Sequence, residues 1–288
     1  MTPVIAAAVL AAALTHAVWN AIAHGIKDRF LAFTLVSGGG ALCAAALAPL
    51  AAMPRAAAWP YLTASVVIHL GYQSLLMRSF QLGDFGQVYP IARGVSPPAV
   101  TLPAAVFVGE WPGPWQTAGV LVASTGLAGV ALWGMRGRRP DRPALTAAVG
   151  TGLTIAGYTA VDGVGVRASG SSLGYISWLL MIQGVFFPAL AVTVRRGRLL
   201  AELRPVAVRG LIGGALSVTA YGLVLWAQTR ADLAPVAALR ETSIIAGAAI
   251  GSLFFKERFG RPRMVAAVVV VSGMGLMLHT NRSSYLGA

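Results

Sequence analysis

Charge is what this sequence has least of. Only 11% of its 288 residues are Asp, Glu, Lys or Arg, against roughly 25% in a soluble domain. Too few charges remain to cover a water-facing surface, so the predicted solvent is lipid. Acidic residues are scarcest, nine against 22 Lys and Arg, which leaves a formal charge of +13. Such an excess can point to nucleic acid, but here the basic residues sit in short connectors between apolar runs and form no contiguous basic face. A nucleic-acid partner is therefore not expected. Cysteine is nearly absent: Cys43 stands alone in an apolar run. It excludes an internal disulfide and a zinc site and reads as a small packed hydrophobe. No basic stretch precedes the first apolar run, which continues to about Ala23 with Trp19 inside it, so a cleaved signal peptide is not expected. HExxH and clustered His/Cys spacings are also missing. Neither an enzyme nor a cofactor or metal site is expected.

What the chain does have is apolar sequence. It is 57% hydrophobic, with a mean hydropathy of +0.72. A spanning helix needs about 20 mostly apolar residues. Ten runs qualify: 3–24, 30–52, 58–80, 85–108, 114–134, 144–166, 171–194, 206–228, 233–255 and 261–279. They are continuously apolar and lack the period-2 alternation of barrel strands, so they are predicted to be helices. The connectors are short and carry turn or charge signals, such as "KDR" at 27–29, "EWPGP" at 110–114 and "RGRRPDRP" at 136–143. The predicted fold class is an all-α membrane protein with ten transmembrane helices. Glycines number 34; those at Gly38, Gly39 and Gly40 are of the kind that lets helices approach closely.

The chain also repeats itself. At a gapless offset of 147 residues, Arg240 falls on Arg93, Phe254 on Phe107, Glu257 on Glu110, Gly260 on Gly113 and Gly273 on Gly126. With so few charges, chance does not readily align two arginines and two glutamates. This predicts a first five-helix repeat at 1–134 and a second at 144–280. Five is odd, so the second copy enters the membrane in the opposite sense. Such inverted repeats build many secondary transporters, with the substrate near the midplane between the halves. Of the Lys and Arg, 16 fall in one set of alternate connectors and four in the other. The positive-inside rule then places both termini outside.

Three segments, "HAVWNAIAH" (16–24), "YPIARGVSPPAVTLPAAVFVGEW" (89–111) and "LRETSIIAGAAIGSLFFKER" (239–258), resemble EamA-type members of the drug/metabolite transporter superfamily. The resemblance implies a ten-helix, basket-like bundle in the cell (inner) membrane that moves small metabolites such as amino acids, often outward. It also implies termini in the cytoplasm, the reverse of the charge count. The alternative is a lipid-carrier flippase of the same fold. The expected partners are a small-molecule substrate, the bilayer and a coupling proton, with the chain a monomer or a homodimer.

Candidate substrate-binding residues are the polar and aromatic groups inside the runs. Arg93 and Arg240 are intramembrane charges, which are costly and usually paired, interior and functional; the competing reading for Arg93 is snorkelling to the interface. Asp162 and Glu241 are available partners, and Arg93 with Glu241 is one conceivable pair. A wetted position near the end of its run is the other reading of Asp162. In the first helix His16, Trp19 and Asn20 share a face, and His69, Tyr72 and Gln73 repeat the arrangement in the third. Tyr89 precedes Arg93, and Tyr158 precedes Asp162, by four residues; Tyr221 adds an aromatic wall. For each polar residue, interhelical hydrogen-bond glue competes with substrate contact. Pro90, Pro97, Pro98 and Pro103 are expected to kink the fourth helix, while the ninth, with only Pro235, is expected not to be equivalently broken.

Overall fold

A computed structural model of the chain describes residues 1–82, 85–134, 141–246, 265, 268–273 and 275–276. The repeat partners Phe254, Glu257 and Gly260, and most of the last connector and tenth run, lie outside the described residues. So do the side chains of His24, Tyr89 and Trp133. Among the described residues the regular structure is helical, with no strand. The helices are α1 (Pro3–His24), α2 (Arg29–Leu47), α3 (Trp59–Leu82), α4 (Phe85–Pro103), α5 (Pro114–Gly134), α6 (Arg142–Ser169), α7 (Ser172–Gly184), α8 (Phe186–Arg195), the short α9 (Leu199–Leu203), α10 (Ala207–Gln228) and α11 (Leu233–Arg240).

Five helical stretches among the described residues are long and apolar enough to cross a membrane: Pro3–Ala23, Arg29–Leu50, Ile91–Val108, Arg142–Ser169 and Ser172–Gln228. The last is 57 residues long, nearly three times what one crossing needs; it holds α7 to α10. The chain is an all-α membrane protein. Large apolar side chains face outward along these helices, among them Leu42 (65% exposed), Leu153 (54%) and Phe107 (77%). Water would penalise such a surface, and lipid does not.

Local sequence explains where the helices begin and break. Asp28 caps α2 by accepting from the amides of Phe30 (3.0 Å) and Leu31 (3.2 Å), which satisfies two of the orphan donors at a helix start. Ser171 caps α7 through the Gly174 amide at 3.0 Å. The seventh run divides at Val185 because Pro188 has no N–H to give the carbonyl of Gly184. The prolines of α4 leave it helical to Pro103; the register then widens to a π turn at Ala104–Val108. Pro97 and Pro98 offer no N–H to the carbonyls of Arg93 and Gly94.

The ninth run corrects an expectation. It is interrupted: α11 stops at Arg240, Glu241 and Thr242 form a turn, and helix resumes at Ser243. The backbone bonds shorten there to an i to i−3 pattern, with Glu241 donating to Ala238 (3.1 Å) and Thr242 to Leu239 (3.2 Å). The Thr242 hydroxyl also donates to the Leu239 carbonyl at 2.8 Å. That side-chain bond competes with the helical ladder and accompanies a break that the proline count does not register.

Most close packing joins the first half of the chain to the second. α3 and α4 pack on α6, α1 and α2 on α10, and α2 on α7. Small residues permit this approach. A Cβ on Gly214 of α10 would overlap the backbone of Gly39 and Gly40 in α2, and one on Gly152 of α6 would sit 2.6 Å from the Ala92 carbonyl of α4. The second contact fixes α6 against the residue next to Arg93. An apolar cluster of Leu62, Tyr175, Ile176, Leu179 and Leu225 ties α3, α7 and α10 together.

Candidate functional site

Between these helices lies a cavity of about 90 Å³. Its wall is assembled from α1, α2, α3, α6, α7, α10 and α11, so both halves contribute. Seven of the residues expected at a substrate site line it: His16, Trp19, Tyr72, Gln73, Tyr158, Tyr221 and Arg240. Three others, Arg93, Asp162 and Glu241, are at most 2% exposed and sit behind that wall. Asn20 instead lines a smaller cavity of about 20 Å³ with Trp19, Arg29 and Phe80, and its amide donates to the His16 carbonyl at 2.8 Å. The Tyr89 side chain lies outside the described residues.

One corner is built around Arg93. Its Nη1 donates to Glu241 Oε1 at 3.3 Å, and both side chains are essentially excluded from solvent. The cross-helix pair that the sequence allowed is therefore formed, between α4 and the turn after α11, and Arg93 does not snorkel. Arg93 Nη2 also meets His16 Nε2. The other ring nitrogen, Nδ1, accepts from Trp19 Nε1 at 3.2 Å. Arg and Trp can only donate, and a neutral imidazole accepts through one nitrogen. His16 thus faces more donors than it can satisfy.

A second corner holds Asp162. The wetted reading is wrong for this residue: it is fully buried. Its two oxygens accept from the hydroxyls of Tyr175, at 2.8 Å, and Tyr221. Asp162 thereby links α6 to α7 and α10. Tyr221 presents its ring to the cavity while its hydroxyl is bound behind it. His69 stacks on Tyr158, with centroids 4.0 Å apart, and lies edge-on to Tyr72 and Tyr221. Its Nδ1 is held by Ser65 Oγ at 3.0 Å. These four rings form a continuous aromatic wall from α3, α6 and α10.

Arg240 stands apart. It is 3% exposed and lines the cavity. Its Nη2 donates to the Tyr158 hydroxyl at 3.3 Å, and its Nε has no hydrogen-bond partner. It is the last residue of α11, where the partial negative charge of the helix end favours a cation.

Sequence reasoning missed Ser65, Tyr175, Gln183, Ser37 and Ser217. Ser65 lies four residues before His69, a spacing that was readable. Tyr175 reaches Asp162 from another helix, and no local spacing signals that. Two ion-pair clusters also escaped notice. Glu110, just after the π turn, accepts from Arg167 Nη1 at 2.7 Å and from the Leu233 amide at 2.7 Å. Arg167 in turn donates to the carbonyls of Gln228 (2.8 Å) and Ala231 (3.1 Å). This clasp joins the end of the fourth run to the ends of α6 and α10 and the start of α11. Elsewhere Arg195 bridges Asp28 and Glu202, the latter at 3.4 Å.

Helices with apolar, outward-facing side chains around an internal cavity with buried charges define an integral membrane protein. Residues 142–279 match the EamA-like transporter family. No curated protein matches the chain. A solved structure titled "Crystal structure of protein" shares the fold: it has a TM-score of 0.70, covers 99% of this chain and 98% of its own, and is 15% identical.

Proposed function

We propose that the protein is a secondary transporter that moves a small amphipathic or zwitterionic metabolite by alternating access between two inverted five-helix halves of ten spans. One observation carries the reading: the chamber is walled by both halves and holds ionisable and aromatic side chains inside an otherwise apolar bundle. Charge is costly there, and a transporter site gives it a use. The EamA-like match supports the class. The break at Glu241 and Thr242 resembles the interrupted helices that secondary transporters place at their sites. Transport is outward across the cell inner membrane, and Asp162 and Glu241 are the carboxylates available to a coupling proton.

The test is flux. The full chain in proteoliposomes, offered a panel of labelled amino acids and organic acids, should exchange at least one faster than empty vesicles do. That exchange should collapse in Arg240→Ala. Rates equal to those of empty vesicles across the panel would remove the proposal; full activity in the variant would remove Arg240 from the site and leave transport standing. A C-terminal reporter active only in the periplasm decides the orientation.

A further inference from the structure

The four charges behind and around the chamber are not equivalent. Arg93 is matched by Glu241 at 3.3 Å. Both oxygens of Asp162 are occupied by tyrosine hydroxyls. Glu241 follows Arg240 directly, but neighbouring residues on a helix diverge by about 100°, and its carboxylate turns to Arg93. Arg240 is left with no ion pair to a described acid. Of these residues it alone lines the chamber while holding a buried donor, Nε, that has no partner.

Resting on the transporter reading, we infer that Arg240 is the anchor for the carboxylate of a small monoanionic substrate. Arginine is always ionised, and its planar fork matches a carboxylate. The Tyr158 hydroxyl accepts from Arg240 Nη2 and so keeps its own proton to donate to the same anion. The surroundings offer little else to an anion's rival: His16 is already faced by the donors of Trp19 and Arg93. Arg93, Arg240, Asp162 and Glu241 together are neutral, so one added negative charge leaves an imbalance of a single unit; a dianion would double it near Asp162, and a cation would add to an arginine that has no ion pair to a described acid. Size sets a further limit. About 90 Å³ is below the ~150 Å³ that holds benzene. The chamber in this conformation therefore admits a ligand of acetate or lactate size, and a larger one only as it widens. Arg93, which does not reach the chamber wall, is assigned a positioning role for the turn at Glu241.

The experiment is a thermal-unfolding titration of the full chain in nanodiscs with sodium acetate and sodium lactate. Sodium chloride at matched ionic strength, sodium phosphate and tetramethylammonium chloride are the other arms. A saturable upward shift in Tm with acetate or lactate is expected. R240Q should weaken the apparent affinity at least tenfold, with R240K intermediate. If R240Q does not fold, Y158F, which removes only the second donor, should still weaken it measurably. No shift beyond chloride, a stronger response to phosphate, or an unaltered affinity in R240Q or Y158F overturns the inference. Solute flux that is driven only by cations or neutral solutes leaves the transporter reading standing without this anchor. Lactate binding that needs Arg240 in a protein that moves no solute leaves the anchor standing without transport.

Discussion

Replacing Glu241 by leucine should be among the most damaging single changes in this protein. The substitution removes the carboxylate that Arg93 meets at 3.3 Å, where the two side chains are 2% and 1% exposed. Removing one partner of a buried ion pair leaves the other charge uncompensated, which costs about 3–5 kcal/mol. At about 2–4 °C per kcal/mol for chains of somewhat smaller size, the melting temperature should fall by roughly 6–20 °C. Thermal unfolding in detergent micelles, followed by far-ultraviolet circular dichroism, reads this directly. The double variant R93M/E241L supplies the internal control. It removes both charges and fills the space with apolar atoms, so it should recover most of the loss, since such replacements are often neutral or stabilising by about 1–4 kcal/mol. Two results would refute the reasoning: E241L within about 1 kcal/mol of the parent, or a double variant as unstable as the sum of the two singles. Either would mean that Arg93 is held chiefly by its other contacts, such as that with His16.

Two further outcomes follow from the geometry. E110A removes both the Arg167 pair and the acceptor for the Leu233 amide at 2.7 Å. The pair is partly exposed and contributes at most about 1 kcal/mol; the lost cap adds about 0.5–2 kcal/mol. Chemical unfolding of E110A beside the parent checks this, and an unchanged midpoint would mean that neither contact contributes to stability. Y221F takes one hydroxyl from Asp162 and should destabilise by about 1–3 kcal/mol, the cost of an unmet buried acceptor. Chemical unfolding of Y221F beside Y175F checks it, and a neutral Y221F would mean that Tyr175 alone satisfies the carboxylate.

Much of the helical layout could be read along the chain. Hydrophobic runs set out where α1, α2, α3, α6 and α10 lie, because each is a single apolar stretch of spanning length. The division of the seventh run at Val185 also has a local cause, Pro188. The stop at Arg240 was not legible from proline or glycine. The Thr242 hydroxyl bond to the Leu239 carbonyl accompanies it, but Thr154 makes the same bond to Thr151 inside an unbroken helix, so no local rule marks the stop. Among the site residues, face-sharing spacings gave His16 with Trp19, and His69 with Tyr72 and Gln73, all of which reach the chamber. The same rule put Asn20 with them, yet it lines the neighbouring small cavity. Periodicity gives a direction around one helix, and neighbouring helices decide what stands there.

By itself, then, the sequence determined the solvent, the helical class and the positions where charge stands inside an apolar run, because such a run and an ionised side chain within it have the same meaning in any arrangement. It did not determine which charge meets which. Glu241 could have served either arginine, and Asp162 could have been wetted. Only the packing of α4, α6, α7, α10 and α11 gave Glu241 to Arg93 and Asp162 to two tyrosines. Pairing falls off within a few ångströms, and residues 148 apart in the chain come that close only once glycines such as Gly152 and Gly214 have let the helices touch.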